Sequence, residues 1–106
     1  MVSATSIAQK LIALIKNVSR GVDVETLSQK DKAVLQQIHL ACNEVRLDVR
    51  DYEYAQTRDE QLKWAKIGRH NISALSKMLL SLDAIFTAAD IAECGAYLES
   101  LRSALE

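Results

Sequence analysis

The chain has 106 residues, 49 % of them apolar and 25 % charged, with a net charge of −1. That length suits one domain spanning 1–106, and the balance of apolar and charged residues excludes wholesale disorder. With no Pro, three Gly, 5 % aromatics and fourteen each of Ala and Leu, the composition favours helices and counts against a β-sandwich or barrel.

The first predicted helix runs from about Thr5 to Ser19, with Ile7, Leu11, Leu14, Ile15 and Val18 on one face. Lys10, Lys16 and Arg20 precede the first acid, Asp23, so this segment is a basic amphipathic helix. The pattern suits a first bundle helix, and also an organelle presequence or an interfacial anchor. A short connection containing Gly21 and Asp23 follows. Capping signals then punctuate the chain: Thr26, Ser28, Thr57 and Thr87 each precede Gln29, Asp31, Glu60 or Asp90 by three residues.

The second helix, near Gln29 to Ala55, carries Leu35, Ile38, Cys42, Val45, Val49 and Tyr52 at alternating spacings of three and four. The third, near Arg58 to Phe86, continues that rhythm through Ala65, Gly68, Ile72, Leu75, Leu79, Leu82 and Phe86. The fourth begins at Ala88 and carries Ile91, Cys94, Leu98, Leu101 and Leu105. Such 3-4-3-4 patterns are the packing seams of bundles. The expected fold is an all-α antiparallel four-helix bundle whose two long central helices form a hairpin projecting beyond the first and last. Nothing between Tyr54 and Leu62 forbids helix, so one continuous helix that dimerises to bury its seam is the alternative. Charge favours the hairpin. Folding at Thr57 sets Asp48 and Asp51 beside Trp64 and Ile67, with Lys63 and Lys66 near.

Chemistry-bearing patterns are sparse. No run of eighteen apolar residues exists, so no membrane span is expected, and two cysteines on apolar faces suit a reducing, cytoplasmic setting. His39, Cys42 and Cys94 lack the paired short spacing of a zinc site, and neither His39 nor His70 follows a Glu by three residues. No glycine-flanked Ser elbow or phosphate-cradling loop occurs. An enzyme is therefore not expected, nor any cofactor or metal, and small-molecule binding is not anticipated. The stripe Lys63, Lys66, Arg69 and Lys77 is the one candidate nucleic-acid reader, but adjacent acids neutralise it.

The second helix holds the informative feature. Leu40, Leu47 and Tyr54, spaced by seven, lie opposite its main apolar arc, where a rim helix should be polar. Trp64 and Ile67 of the third helix extend that stripe across the turn, and Tyr52, on the main arc, is a further candidate. Burying each such Leu is worth about 1.5–3 kcal/mol, and Tyr and Trp are favoured interface anchors. A central position of the second helix, touching both the first and the fourth, is the competing explanation. The expected function is a small non-enzymatic protein-interaction module (adaptor, chaperone, immunity-like or regulatory subunit). Its expected interface is Leu40, Leu47, Tyr52, Tyr54, Trp64 and Ile67, with a homodimer as the expected assembly.

The alternative rests on His70, which shares a polar helix side with Lys63, Lys66 and Lys77. A surface His on a four-helix bundle resembles histidine phosphotransfer domains, and that resemblance implies His70 as phosphoacceptor. The small-residue and Lys-Gly pattern that such a domain carries just after its His is absent from Asn71–Leu75.

Overall fold

Ser3 opens the first helix by turning its hydroxyl onto the Ser6 amide, and three further hydroxyl caps divide the rest of the chain. A computed structural model describes residues 3–106 and gives four helices: α1 (Ala4–Arg20), α2 (Gln29–Tyr54), α3 (Arg58–Ser81) and α4 (Ala88–Ala104). Ser28 accepts from the Asp31 amide to start α2, and Thr57 accepts from the Glu60 amide to start α3. Glu60 returns its carboxylate to the Gln56 amide rather than to that of Thr57. Thr87 and Asp90 close a reciprocal capping box at the head of α4. Thr26 does not cap α2. It ends a short 3-10 turn (Val24–Thr26) and donates its hydroxyl to the Asp23 carbonyl, leaving the cap to Ser28 two residues on.

The break at residues 55–57 makes α2 and α3 separate antiparallel helices, about 39 and 36 Å long at 1.5 Å per residue. Around the bundle the order is α1, α2, α3, α4, with each helix packed on two neighbours and α4 closing back onto α1. This is an all-α four-helix bundle of the expected class. It does not give α2 a central position, because the neighbours of α2 are α1 and α3.

The expected seams form the core. Leu11 and Ile15 of α1, Leu35 to Val49 of α2, Ala65 to Leu79 of α3 and Cys94 to Leu101 of α4 supply it, with Leu105 just beyond. Ala4 and Ala8 extend it on α1, and their small side chains let that helix sit close to its neighbours. Three expectations need correction. The third helix stops at Ser81, not Phe86; Leu82 leaves helical geometry, and the turn that follows folds Leu82, Ile85 and Phe86 into the core. Their helix-like spacing in sequence reflects burial of a compact turn.

Asp48 is not a solvated charge facing lysines. It is 4 % exposed and accepts from Asn71 Nδ2 at 2.6 Å, one turn beyond the expected level. Gly68 faces the same place: a Cβ there would lie 2.9 Å from Leu105 Cδ1, which would have to shift, and in ordinary contact at 3.6 Å with the Asp48 Cβ. No ion pair crosses the hairpin among the described residues; the two that exist, Arg50–Asp51 and Arg102–Glu99, are local.

The overhang is one-sided. The Thr5 amide donates to Glu53 Oε1, so α1 reaches the end of α2. In contrast α4 ends level with Gly68, where Arg69 Nη1 donates to the Leu105 carbonyl, and the first turns of α3 run past it.

Candidate interaction surface

The residues expected to form an interface fall into three groups. Leu40 and Tyr54 are open, at 62 % and 74 % exposure, and Leu47 between them is half-buried. Leu40, Leu47 and Tyr54 follow one line on the outer face of α2, away from the arc of Ile38, Val45 and Val49. Trp64 and Ile67 are half-buried on α3, and Lys63 Nζ lies 5.0 Å from the centroid of the Trp64 ring, covering part of it. Tyr52 packs against the core and lines a shallow trough with Ala4, Ile7 and Ala104 at the same end of the molecule. It stands apart from the outer line, because residue 52 falls on the inward arc that already carries Val45 and Val49.

One participant escaped the sequence reading. Leu62, 46 % exposed, lies seven and eleven residues before Arg69 and Ser73, the two α3 residues that bond to α4 and its C-terminal turn. It therefore faces the side that α4 would cover if that helix were two turns longer. The signal was present in the sequence: helix α4 is seven residues shorter than α3, which it faces, and Leu62 lies in the excess. The hairpin end thus carries Tyr54 and Leu62 uncovered, with Trp64 one turn inward.

His70 is exposed on α3, and Lys63, Lys66 and Lys77 are exposed at seven, four and seven residues from it, on one side of the helix. Its neighbours in sequence are otherwise engaged, Arg69 with the Leu105 carbonyl and Asn71 with Asp48.

The buried titratable groups are few. Burial pushes the Asp48 carboxyl above its ordinary value of 3.8; the Asn71 bond opposes this, while Glu44 and Asp51 add to it. The Cys42 thiol is raised to about 11 by burial and then by Cys94, with Lys16 acting the other way. Cys94 is raised to about 11 by burial, with Asp90 and Glu93 adding. Both are free thiols in the core, and His39 is exposed outside it. Among the described residues no three His, Cys, Asp or Glu side chains are grouped as a metal site. Among the described residues no helix is long and apolar enough to cross a membrane. Comparison with protein-family models, with curated proteins and with solved structures returned no match to this chain.

Proposed function

We propose that this chain is a non-catalytic protein-interaction module, an adaptor or regulatory subunit, that pairs with a second copy through the outer face of α2 and the hairpin end. The observation that supports this most is the line Leu40, Leu47, Tyr54, whose two ends stand open on a helix that already has a complete inward seam. Water gains nothing from a Leu and a Tyr held there, and each buried Leu is worth about 1.5–3 kcal/mol to an assembly. Leu62 and the half-buried Trp64 add apolar surface at the hairpin end, on α3. Sedimentation velocity of the parent against Leu40→Glu and Tyr54→Ala tests it. The parent should sediment as a dimer and Leu40→Glu as a monomer with the same helical content. A parent that stays monomeric at the highest attainable concentration would sink self-association.

A second reading has one observation in its favour, the exposure of His70 amid three lysines on one side of α3. It makes the chain a phosphoryl relay with His70 as acceptor. Incubation with a small phosphodonor should then give acid-labile phosphate that is lost in His70→Gln; no incorporation removes this reading.

A further inference from the structure

The seam between α1 and α2 differs in charge from the rest of the surface. Helix α1 carries Lys10, Lys16 and Arg20 and no acid, and α2 presents His39, Asn43, Arg46 and Arg50 at spacings of four, three and four. On a chain with net charge −1, Lys16, Arg20, Arg46 and Arg50 line one groove, while Lys10 points elsewhere. Its central depression, about 230 Å³, is lined by Ile12, Lys16, His39, Cys42, Asn43 and Arg46, with no carboxylate among them. A depression to one side shares Lys16 and His39 and adds Arg20; on the other side the next shares Arg46 and adds Arg50 together with Glu53, whose carboxylate accepts from the Thr5 amide.

Arg50 pairs with Asp51, and the other three cations of the groove, Lys16, Arg20 and Arg46, are unpaired among the described residues. Arg46 Nη2 donates to Asn43 Oδ1 at 2.7 Å, which holds the guanidinium in place, leaves its remaining donors free and leaves the Asn43 amide group as a donor. Lys16 comes from the opposite wall, close enough for its charge to act on the Cys42 thiol in the floor. Ile12 and Cys42 make that floor apolar. Two cations from opposing helices, one of them an Arg fork held by Asn43, can both give charge-assisted hydrogen bonds to a phosphate dianion, whose double charge gains more from the pair than a monoanion would.

We propose that this groove, centred on Lys16 and Arg46, binds a phosphate monoester whose organic part rests on Ile12 and Cys42. The ester is carried either by a small molecule or by a phosphorylated side chain of a partner protein. A nucleic-acid strand is disfavoured, because Tyr54 at the far end of the groove is the single aromatic along it and offers no succession of stacking platforms.

The test is a titration of the isotope-labelled protein, followed through the amide resonances of His39, Asn43 and Arg46. The probes are phenyl phosphate, a phosphoserine hexapeptide, inorganic phosphate and an oligothymidylate. Phenyl phosphate or the phosphopeptide should give saturable shifts confined to α1 and α2 and bind more tightly than inorganic phosphate; the tighter of the two identifies the source of the ester. Lys16→Gln and Arg46→Gln, both at exposed positions, should each weaken binding about tenfold, the scale of one charge-assisted contact. Lys77→Gln and His70→Gln on α3 should not change it. The proposal is overturned if neither ester shifts these resonances, if the Lys16→Gln/Arg46→Gln double variant binds as the parent does, or if the oligothymidylate binds more tightly than both esters.

Discussion

Asn71→Ala removes the one hydrogen-bond donor among the described residues that reaches the Asp48 carboxylate, at 2.6 Å, and leaves that carboxylate 4 % exposed at the α2–α3 seam. No cation offsets the loss, since the charges acting on Asp48 are those of Glu44 and Asp51, both of its own sign. Orphaning a buried acceptor costs about 1–3 kcal/mol, with charged groups toward the upper end, so about 2 kcal/mol is expected at pH 7. Urea denaturation read by far-ultraviolet circular dichroism would show this as a fall of 1–2 M in midpoint at a slope of roughly 1–1.5 kcal/mol per M. The pH dependence has a definite sign. A carboxyl raised above 3.8 in the folded state binds its proton more readily there than in the unfolded chain. The charged form therefore destabilises at pH above the folded value, and that penalty fades as pH falls through it. Asn71→Ala raises the folded value further, so its cost should shrink between pH 7 and pH 5. Asp48→Ala/Asn71→Ala should be less destabilised at pH 7 than the sum of the two single changes. A cost of Asn71→Ala below 0.5 kcal/mol, or one equal at both pH values, would refute the reasoning.

Gly68→Ala should destabilise by about 1 kcal/mol, because the clash with fully buried Leu105 costs about 1–3 kcal/mol against a helix gain of about 1 kcal/mol. The same change made in a Leu105→Ala background should instead stabilise, which thermal melts of the four proteins would show. On α2, Ile38→Ala should cost about 2–5 kcal/mol while Leu40→Ala, two residues on, stays within about 0.5 kcal/mol in the monomer. Equal costs would mean that the helix is turned differently. Both thiols, at about 11, are about one-thousandth ionised at pH 8, so a chromogenic disulfide reagent should label Cys42 and Cys94 only at the rate of unfolding. Prompt labelling of either in native protein would contradict their burial.

The inward seams could be read from the chain because a 3-4 rhythm has one physical cause, a helix face that must leave water. That rhythm reports burial rather than helix, which is why it runs unbroken through Leu82 and Phe86 although α3 has already ended. Neighbour identity lay beyond it. Asp48 stands at the edge of the α2 seam, and it is covered by Gly68 and Asn71 of α3, at least twenty residues away in the chain. Leu62 is uncovered for the converse reason, since its facing helix stops short. The cationic groove was hidden by distance in sequence. Lys16, His39 and Arg46 each look like ordinary solvated positions, and become a cluster when the α1–α2 turn brings their helices alongside. The absence of acids from α1, together with the stripe from His39 to Arg50, was the available sign.

The closure of α4 onto α1 has a topological consequence. Three sides of the bundle are joined by loops, and the fourth is closed by packing alone. Ser3 and Ala104 line the same trough, so the two ends of the described chain are neighbours. The chain is thus a nearly closed circuit, cut at one of four equivalent corners. A short linker joining these ends would allow the circuit to be cut instead between residues 55 and 56, with every helix keeping its partners. The order in which the helices are threaded is then separable from the order in which they pack.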